Sequence, residues 1–149
     1  GFRSMATHIN GYTKSSSLWL GRRSETKATD PGKLDNIAAG GISADETPWV
    51  CAKRELWEEA GVPAQIADQV EPVGRIHMRR PIPARGFHDE QLYIYDLELP
   101  DNFIPTNHDG EVSGFIEVSL AEAAARILAD EFTSDAAFVT ADYILRCNK

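Results

Sequence analysis

The stretch AGGISADETPWVCAKRELWEEAGV, Ala39 to Val62, decides how this chain is read. Thr47 is a suitable N-cap, and Pro48 suits the first helical position, where its missing N–H costs nothing. Gly61 fits a left-handed position after the last turn, and Pro63 prevents continuation. The stretch therefore predicts a helix over about Pro48–Ala60. At ~100° per residue, Trp49, Ala52, Leu56 and Ala60 share an apolar arc that faces a core. Cys51, Glu55, Glu58 and Glu59 share the adjoining arc. Like charges three and four residues apart destabilise a helix by a few tenths of a kcal/mol per pair, so three clustered carboxylates need a reason. Either they form a solvated acidic face, or they await a cation. All-oxygen donors without a His or Cys pattern suit a hard ion such as Mg²⁺ or Mn²⁺, which keeps several waters and is completed by substrate phosphates. Arg54, one turn before Glu58, can pair with it or orient a neighbour.

Around this helix the chain alternates strands and helices. SSSLWLGRR reads as a buried strand, SETKATDPGK as a loop, and LDNIAAGGI as a strand ending at Gly40–Gly41. VEPVGRIHM reads as a strand, followed by a basic loop, RRPIPARG, in which Arg79, Arg80 and Arg85 could reach an anion. HDEQLYIYDLELP is a strand, NFIPTNHDG a loop and EVSGFIEVS a strand. LAEAAARILADEF and SDAAFVTADYILRC are amphipathic helices, the second capped by Ser134 or Asp135. The expectation is one mixed α/β or α+β domain.

Composition narrows the function. The chain has 149 residues, 42% hydrophobic and 26% charged, with a net charge of −8. That balance argues against a sequence-independent nucleic-acid binder, which needs excess cation. No apolar run approaches a membrane span, so no membrane partner is expected. Cys51 and Cys147 have no metal-type spacing and read as free thiols of a reducing, cytoplasmic compartment. The opening Gly-Phe-Arg-Ser and the uncapped end suggest a single domain, 1–149, excised from a longer chain. A homodimer is compatible with the sequence but not required by it. His8, His77, His88 and His108 are scattered and suggest no ligand set, and Trp19, Trp49 and Trp57 read as core or helix-packing residues.

The central stretch resembles the signature of the Nudix hydrolases, G-x5-E-x7-R-E-U-x-E-E-x-G-U, with U bulky and apolar. Gly40, Glu46, Arg54, Glu55, Leu56, Glu58, Glu59, Gly61 and Val62 fill every defined position. A chance match has odds on the order of one in 10⁷ at ordinary residue frequencies. The resemblance implies an α/β/α sandwich with a mixed β-sheet, and Mg²⁺- or Mn²⁺-dependent hydrolysis of a small-molecule diphosphate. It implies Glu55, Glu58 and Glu59 as metal ligands, with Arg54 and Glu46 supporting helix and loop. Glu55 or an acid from a distant loop would take the proton from water, and Glu111 resembles such an acid.

Beyond the box, HINGYT, LWLGRRSETKATDPGKLDNIAAGG, RGFHDEQLYIYDLELP and DGEVSGFIEV resemble the Nudix branch associated with thiamine pyrophosphokinase. That likeness implies thiamine diphosphate or a damaged analogue as substrate, with Phe87, Tyr93 or Phe115 available to wall its head. GRRSETK also resembles the isopentenyl-diphosphate isomerases, whose R-x3-K spacing is met by Arg23 and Lys27. These two, with the backbone at Gly40 and Gly41, are the candidate substrate contacts. The isomerases carry a Cys and a His near the end of DNIAAGG, where this chain has Ala38, Ala39 and Gly41, so an isomerase is disfavoured. A non-catalytic diphosphate-binding module is disfavoured by the intact glutamates.

Overall fold

The computed structural model describes residues 2–84 and 86–149. Within them the chain runs β1 (Phe2–Tyr12), β2 (Ser17–Arg23), β3 (Leu34–Asn36), β4 (Ala38–Gly41), α1 (Pro48–Ala60) and α2 (Ala64–Ala67). It continues through β5 (Glu71–Ile82), β6 (Gly86–Glu98), β7 (Val112–Ser119), α3 (Leu120–Leu128) and α4 (Ser134–Cys147). The sheet is mixed, as expected. Its main path is β3-β2-β1-β6-β5, with β4 also on β1 and β7 also on β2. β1 runs parallel to β6 over its whole length, Phe2 opposite His88 and Tyr12 opposite Glu98, and every other pairing between these strands is antiparallel.

Alternation along β1 divides the molecule. Ile9 faces α1, in a core with Ile37, Ala52, Leu56, Ala60 and Leu97. Ala6 faces the other side and packs with Leu92, Ile94 and Val139 of α4. A third cluster joins Leu18, Leu20 and Val118 to Ala123 of α3 and Ala136 and Tyr143 of α4. Helices therefore cover both faces, and the fold is an α/β/α sandwich. Burying Leu56 completely contributes ~1.5–3 kcal/mol, which anchors the helix bearing the carboxylates.

Several expectations change. The strand through LDNIAAGG is two strands parted at Ile37: Asn36 still pairs Leu20 of β2, whereas Ala38 pairs Ile9 of β1. β1 and β2 share pairing only at Gly11 and Tyr12 and then diverge, so a segment starting beside one must cross to the other. The basic loop is mostly strand, because Arg79, Arg80 and Pro81 pair Asp89, His88 and Phe87 in β5–β6. Arg85 lies outside the described residues. Thr133, not Ser134 or Asp135, caps α4, its Oγ1 accepting from Ala136 N at 3.2 Å. α3 stops at Leu128, with Asp130 in the left-handed region and Phe132 bridging to Leu34. The long β1 strand and the short α2 have no counterpart among the elements the sequence predicts. Trp49 and Trp57 are 41% and 51% exposed rather than core residues, while Trp19 does pack on the α1 core. Lys53 lies over the Trp49 ring at 4.0 Å.

Candidate active site

Both ends of α1 are built as its residues predict. Thr47 Oγ1 accepts from Val50 N at 3.2 Å, and Gly61 closes the helix at φ 67°. The last carbonyls, which a helix cannot satisfy itself, all find donors. Val62 N and Gly61 N reach Leu56 O and Trp57 O, each at 3.0 Å. The loop 104–111 supplies the rest: His108 N to Glu58 O at 2.9 Å, Asn107 Nδ2 to Glu59 O at 3.0 Å, and Thr106 N to Ala60 O at 2.9 Å. His108 also stacks on Trp57 with centroids 4.5 Å apart. A Cβ at Gly61 would stand 2.8 Å from Thr106 O, so glycine is needed there twice over, for its dihedral and for this docking.

The docked loop delivers an acid the sequence reading overlooked. Asp109 Oδ1 accepts from Asn107 Nδ2 and from Glu111 N, both at 2.9 Å. Its charge is close enough to raise the pKa values of both Glu55 and Glu59. Glu111, the residue singled out instead, pairs with Lys27. Nothing in NHDGE distinguishes the two acids; docking onto the helix terminus does.

Arg54 organises the box. Its Nε and Nη2 take both oxygens of Glu46, at 2.7 and 2.9 Å, a bidentate clamp on the loop before α1. Hydrogen bonds from Arg54 and Ser43 N hold the Glu46 carboxyl down to about 2. Arg54 Nη1 meets Glu55 at 2.6 Å and Glu58 at 3.0 Å. The three box carboxylates are not equivalent. Glu58 is 36% exposed, Glu55 only 12%. Glu59 turns inward, and its Oε1 accepts from Ala39 N at 2.7 Å, so it is not the solvent-facing residue a helical projection suggests. Burial pushes Glu59 well above the usual carboxylate range, with Asp35, Glu55 and Asp109 adding, against the Ala39 bond. Burial likewise raises Glu55, against the pull of Arg54. Crowded, desolvated carboxylates of this kind favour a proton or a metal ion in their midst.

Gly40 is part of that crowding. A Cβ there would fall 2.4 Å from the Glu55 carboxylate, so the bare backbone is what lets Glu55 lie against β4. Gly41 has nothing within 4 Å of the equivalent position, although its carbonyl accepts from Arg54 Nη2 at 3.3 Å. Cys51, on the carboxylate arc, is buried between Thr7 Oγ1 and Gly41 O, each 3.4 Å from its sulfur. Burial pushes its thiol up, which makes it a packing residue rather than a ligand.

The two cations proposed for phosphate are otherwise engaged. Arg23 Nη2 donates to Thr29 O at 2.8 Å, its Nε to Thr29 O and Asp30 O at 3.2 Å, and its Nη1 meets Asp35 at 3.5 Å. It shapes the 24–33 loop. Lys27 is held by Glu111. Among the ring candidates, Tyr93 and Phe115 pack on the α1 core, and Phe87 lies under Arg79 at 4.1 Å.

A model of the NUDIX domain matches residues 6–141. Nudix hydrolase 24, chloroplastic, of Arabidopsis thaliana is 37% identical over 150 residues, covering 98% of this chain and 41% of that protein. The chain spans about two fifths of the length of such curated relatives. Among solved structures, DR0079 of Deinococcus radiodurans superposes with a TM-score of 0.75 at 23% identity, over 98% of this chain and 83% of that one. A bifunctional NMN adenylyltransferase/ADP ribose pyrophosphatase of Francisella tularensis, complexed with AMP and a Mn ion, gives 0.69 at 15% identity, over 97% and 41%. These two likenesses concern the fold.

Proposed function

The chain belongs to the NUDIX domain family, and on that premise we propose that it hydrolyses the P–O–P link of a small organic diphosphate with a divalent metal ion. One observation carries this reading: Glu55, Glu58, Glu59 and Asp109 are gathered at the junction of α1, β4 and loop 104–111, two of them raised by burial. The all-oxygen donor set fits Mg²⁺ or Mn²⁺. So does the cradle that a Cβ at Gly40 would fill. Among the described residues no three acids already stand as a ready cage, and Arg54 Nη1 meets both Glu55 and Glu58. Metal binding by Glu55 and Glu58 would need Arg54 Nη1 to release them, and its bidentate grip on Glu46 would keep Arg54 beside them.

Glu55, Glu58 and Glu59 would hold the metal, which when bound neutralises charge on the phosphate oxygens and lowers the pKa of water. Asp109, whose Oδ2 makes no hydrogen bond among the described residues, would accept the proton of the attacking water, in competition with Glu55. Arg54 and Glu46 hold the helix against the loop that follows Gly40 and Gly41 of β4. Lys27 would reach a phosphate by leaving Glu111. For the substrate we take thiamine diphosphate or a damaged analogue, on the likeness of the flanking stretches. Two free thiols support a reducing compartment such as the cytoplasm.

The test is a hydrolysis panel with Mg²⁺. It compares kcat/KM for thiamine diphosphate and its oxidised analogues with ADP-ribose, dinucleoside polyphosphates and nucleoside triphosphates. A monophosphate product that disappears in EDTA is expected. A nucleotide ahead by tenfold or more overturns the thiamine reading, and no turnover of any diphosphate overturns the hydrolase.

A further inference from the structure

Trp57 sits in α1 between the box residues Leu56 and Glu58 and is 51% exposed. An indole half in water adds little to the core, and no step of the proposed chemistry uses it. Its ring is nevertheless engaged. The His108 imidazole stacks on it, with centroids 4.5 Å apart and planes 23° from parallel. The same imidazole approaches the bare backbone of Gly61, where a Cβ would stand 3.2 Å from His108 Nε2. His108 is thus seated on an aromatic face and a glycine, both at the C-terminal end of the box helix.

The loop that carries His108 is fixed at both ends by other contacts. Phe103 packs on the α1 core, and Glu111 O accepts from Ser24 N at 3.0 Å. Between these anchors the loop tip rests on α1 through Thr106 N, Asn107 Nδ2 and His108 N, each donating to one helix carbonyl. Single hydrogen bonds of this kind add only modestly, because water would otherwise serve the same carbonyls. A stacked ring pair adds buried area and a preferred geometry to them.

Asp109 follows His108 directly. Its Oδ1 is tied back to Asn107 Nδ2 and Glu111 N, so its carboxylate moves with the loop tip and not on its own. Its charge is felt at both Glu55 and Glu59. Whatever fixes residues 106–108 on α1 therefore fixes that carboxylate.

We propose that Trp57 and His108 are positioning residues: their stack locks loop 104–111 on the end of α1 and so holds the Asp109 carboxylate beside Glu55 and Glu59. This rests on the hydrolase reading for what Asp109 does there, whereas the lock itself is read without turnover. In metal-free protein, Trp57→Ala and His108→Ala should speed amide hydrogen exchange at Thr106 and His108 or its replacement at least about threefold, as expected for loss of one aromatic stack, and leave Leu56 unchanged. With Mg²⁺ and the diphosphate that the wild type cleaves best, each should lower kcat about tenfold with KM within about threefold, since the transition state alone loses its proton acceptor. His108→Phe keeps a ring on Trp57 and should restore both readouts. Adding Asp109→Asn to His108→Ala should lower kcat no further than Asp109→Asn alone, because a lock that acts through Asp109 then has nothing to position. Unchanged exchange, faster exchange at unchanged kcat, additive losses, or His108→Phe as slow as His108→Ala overturns the proposal. His108 lies outside the helix, so if Trp57→Ala fails to fold, the His108 variants decide. A wild type that cleaves no diphosphate refutes the hydrolase reading itself, and exchange then decides the lock alone.

Discussion

Gly40 and Gly41 are neighbours in β4, and the structure gives them opposite fates on mutation to alanine. A Cβ at Gly40 meets the Glu55 carboxylate at 2.4–2.8 Å, whereas one at Gly41 meets nothing within 4 Å. Ordinary contact begins near 3.4 Å, so Gly40→Ala must displace Glu55 by about 1 Å. Neither glycine has a positive φ, so the effect is steric and not dihedral. A misplacement of about 1 Å in a catalytic group costs roughly 10²-fold in rate. The moved carboxylate also gives up its 2.6 Å bond to Arg54, while the fold loses little, because the atoms that shift are the end of a flexible side chain. Gly40→Ala is therefore expected to lower kcat about 10²-fold and to weaken Mn²⁺ binding at least about tenfold, by the same displacement. Gly41→Ala should stay within about threefold in both, as expected of a substitution into open space. Turnover is read on whichever diphosphate the wild type cleaves best, and Mn²⁺ by electron paramagnetic resonance of the free ion. The reasoning fails if Gly40→Ala keeps wild-type turnover, or if Gly41→Ala falls as far.

The remaining expectations concern the acids. Glu58→Gln and Glu59→Gln should each lower kcat by roughly 10²-fold or more through loss of metal. Glu59→Gln keeps the Oε1 acceptor for Ala39 N and removes a buried charge, so neither variant should lower Tm; full activity in EDTA would refute the metal assignment. Asp109→Asn keeps the Oδ1 acceptor for Asn107 and Glu111 N, yet should cost about tenfold or more in kcat if Oδ2 handles a proton. Glu111→Gln should cost less than about threefold, and the reverse ranking would restore Glu111 as the loop acid. Glu46 titrates near 2 in the fold instead of its ordinary 4.5. Its depressed value contributes stability that is present above about pH 4.5 and lost as the pH falls toward 2. The Tm gap between wild type and Glu46→Gln should close over that window, and a gap independent of pH would contradict the clamp.

Local chemistry was enough for the helix. Thr47, Pro48 and Gly61 mark its ends with atoms within a residue or two of the boundary, and the strands beside it follow from short apolar runs. The nine box residues run from the end of β4 through one loop and one helix, so their spacing alone brings Arg54 to Glu46 and Glu58. Long-range geometry decided the rest. The inward turn of Glu59 depends on Ala39 of β4, twenty residues away, and the selection of Asp109 over Glu111 depends on carbonyls at the end of α1. Arg23 and Lys27 keep the spacing that suggested phosphate, but their guanidinium and ammonium groups are claimed by Thr29, Asp30 and Glu111, which only the folded loop brings near. His8 shows the limit most plainly. A lone histidine in a strand has no local signal, and its 2.8 Å contact with Asn36 Oδ1 exists because Asn36, Asn10 and Thr140 from three separate elements converge beside it.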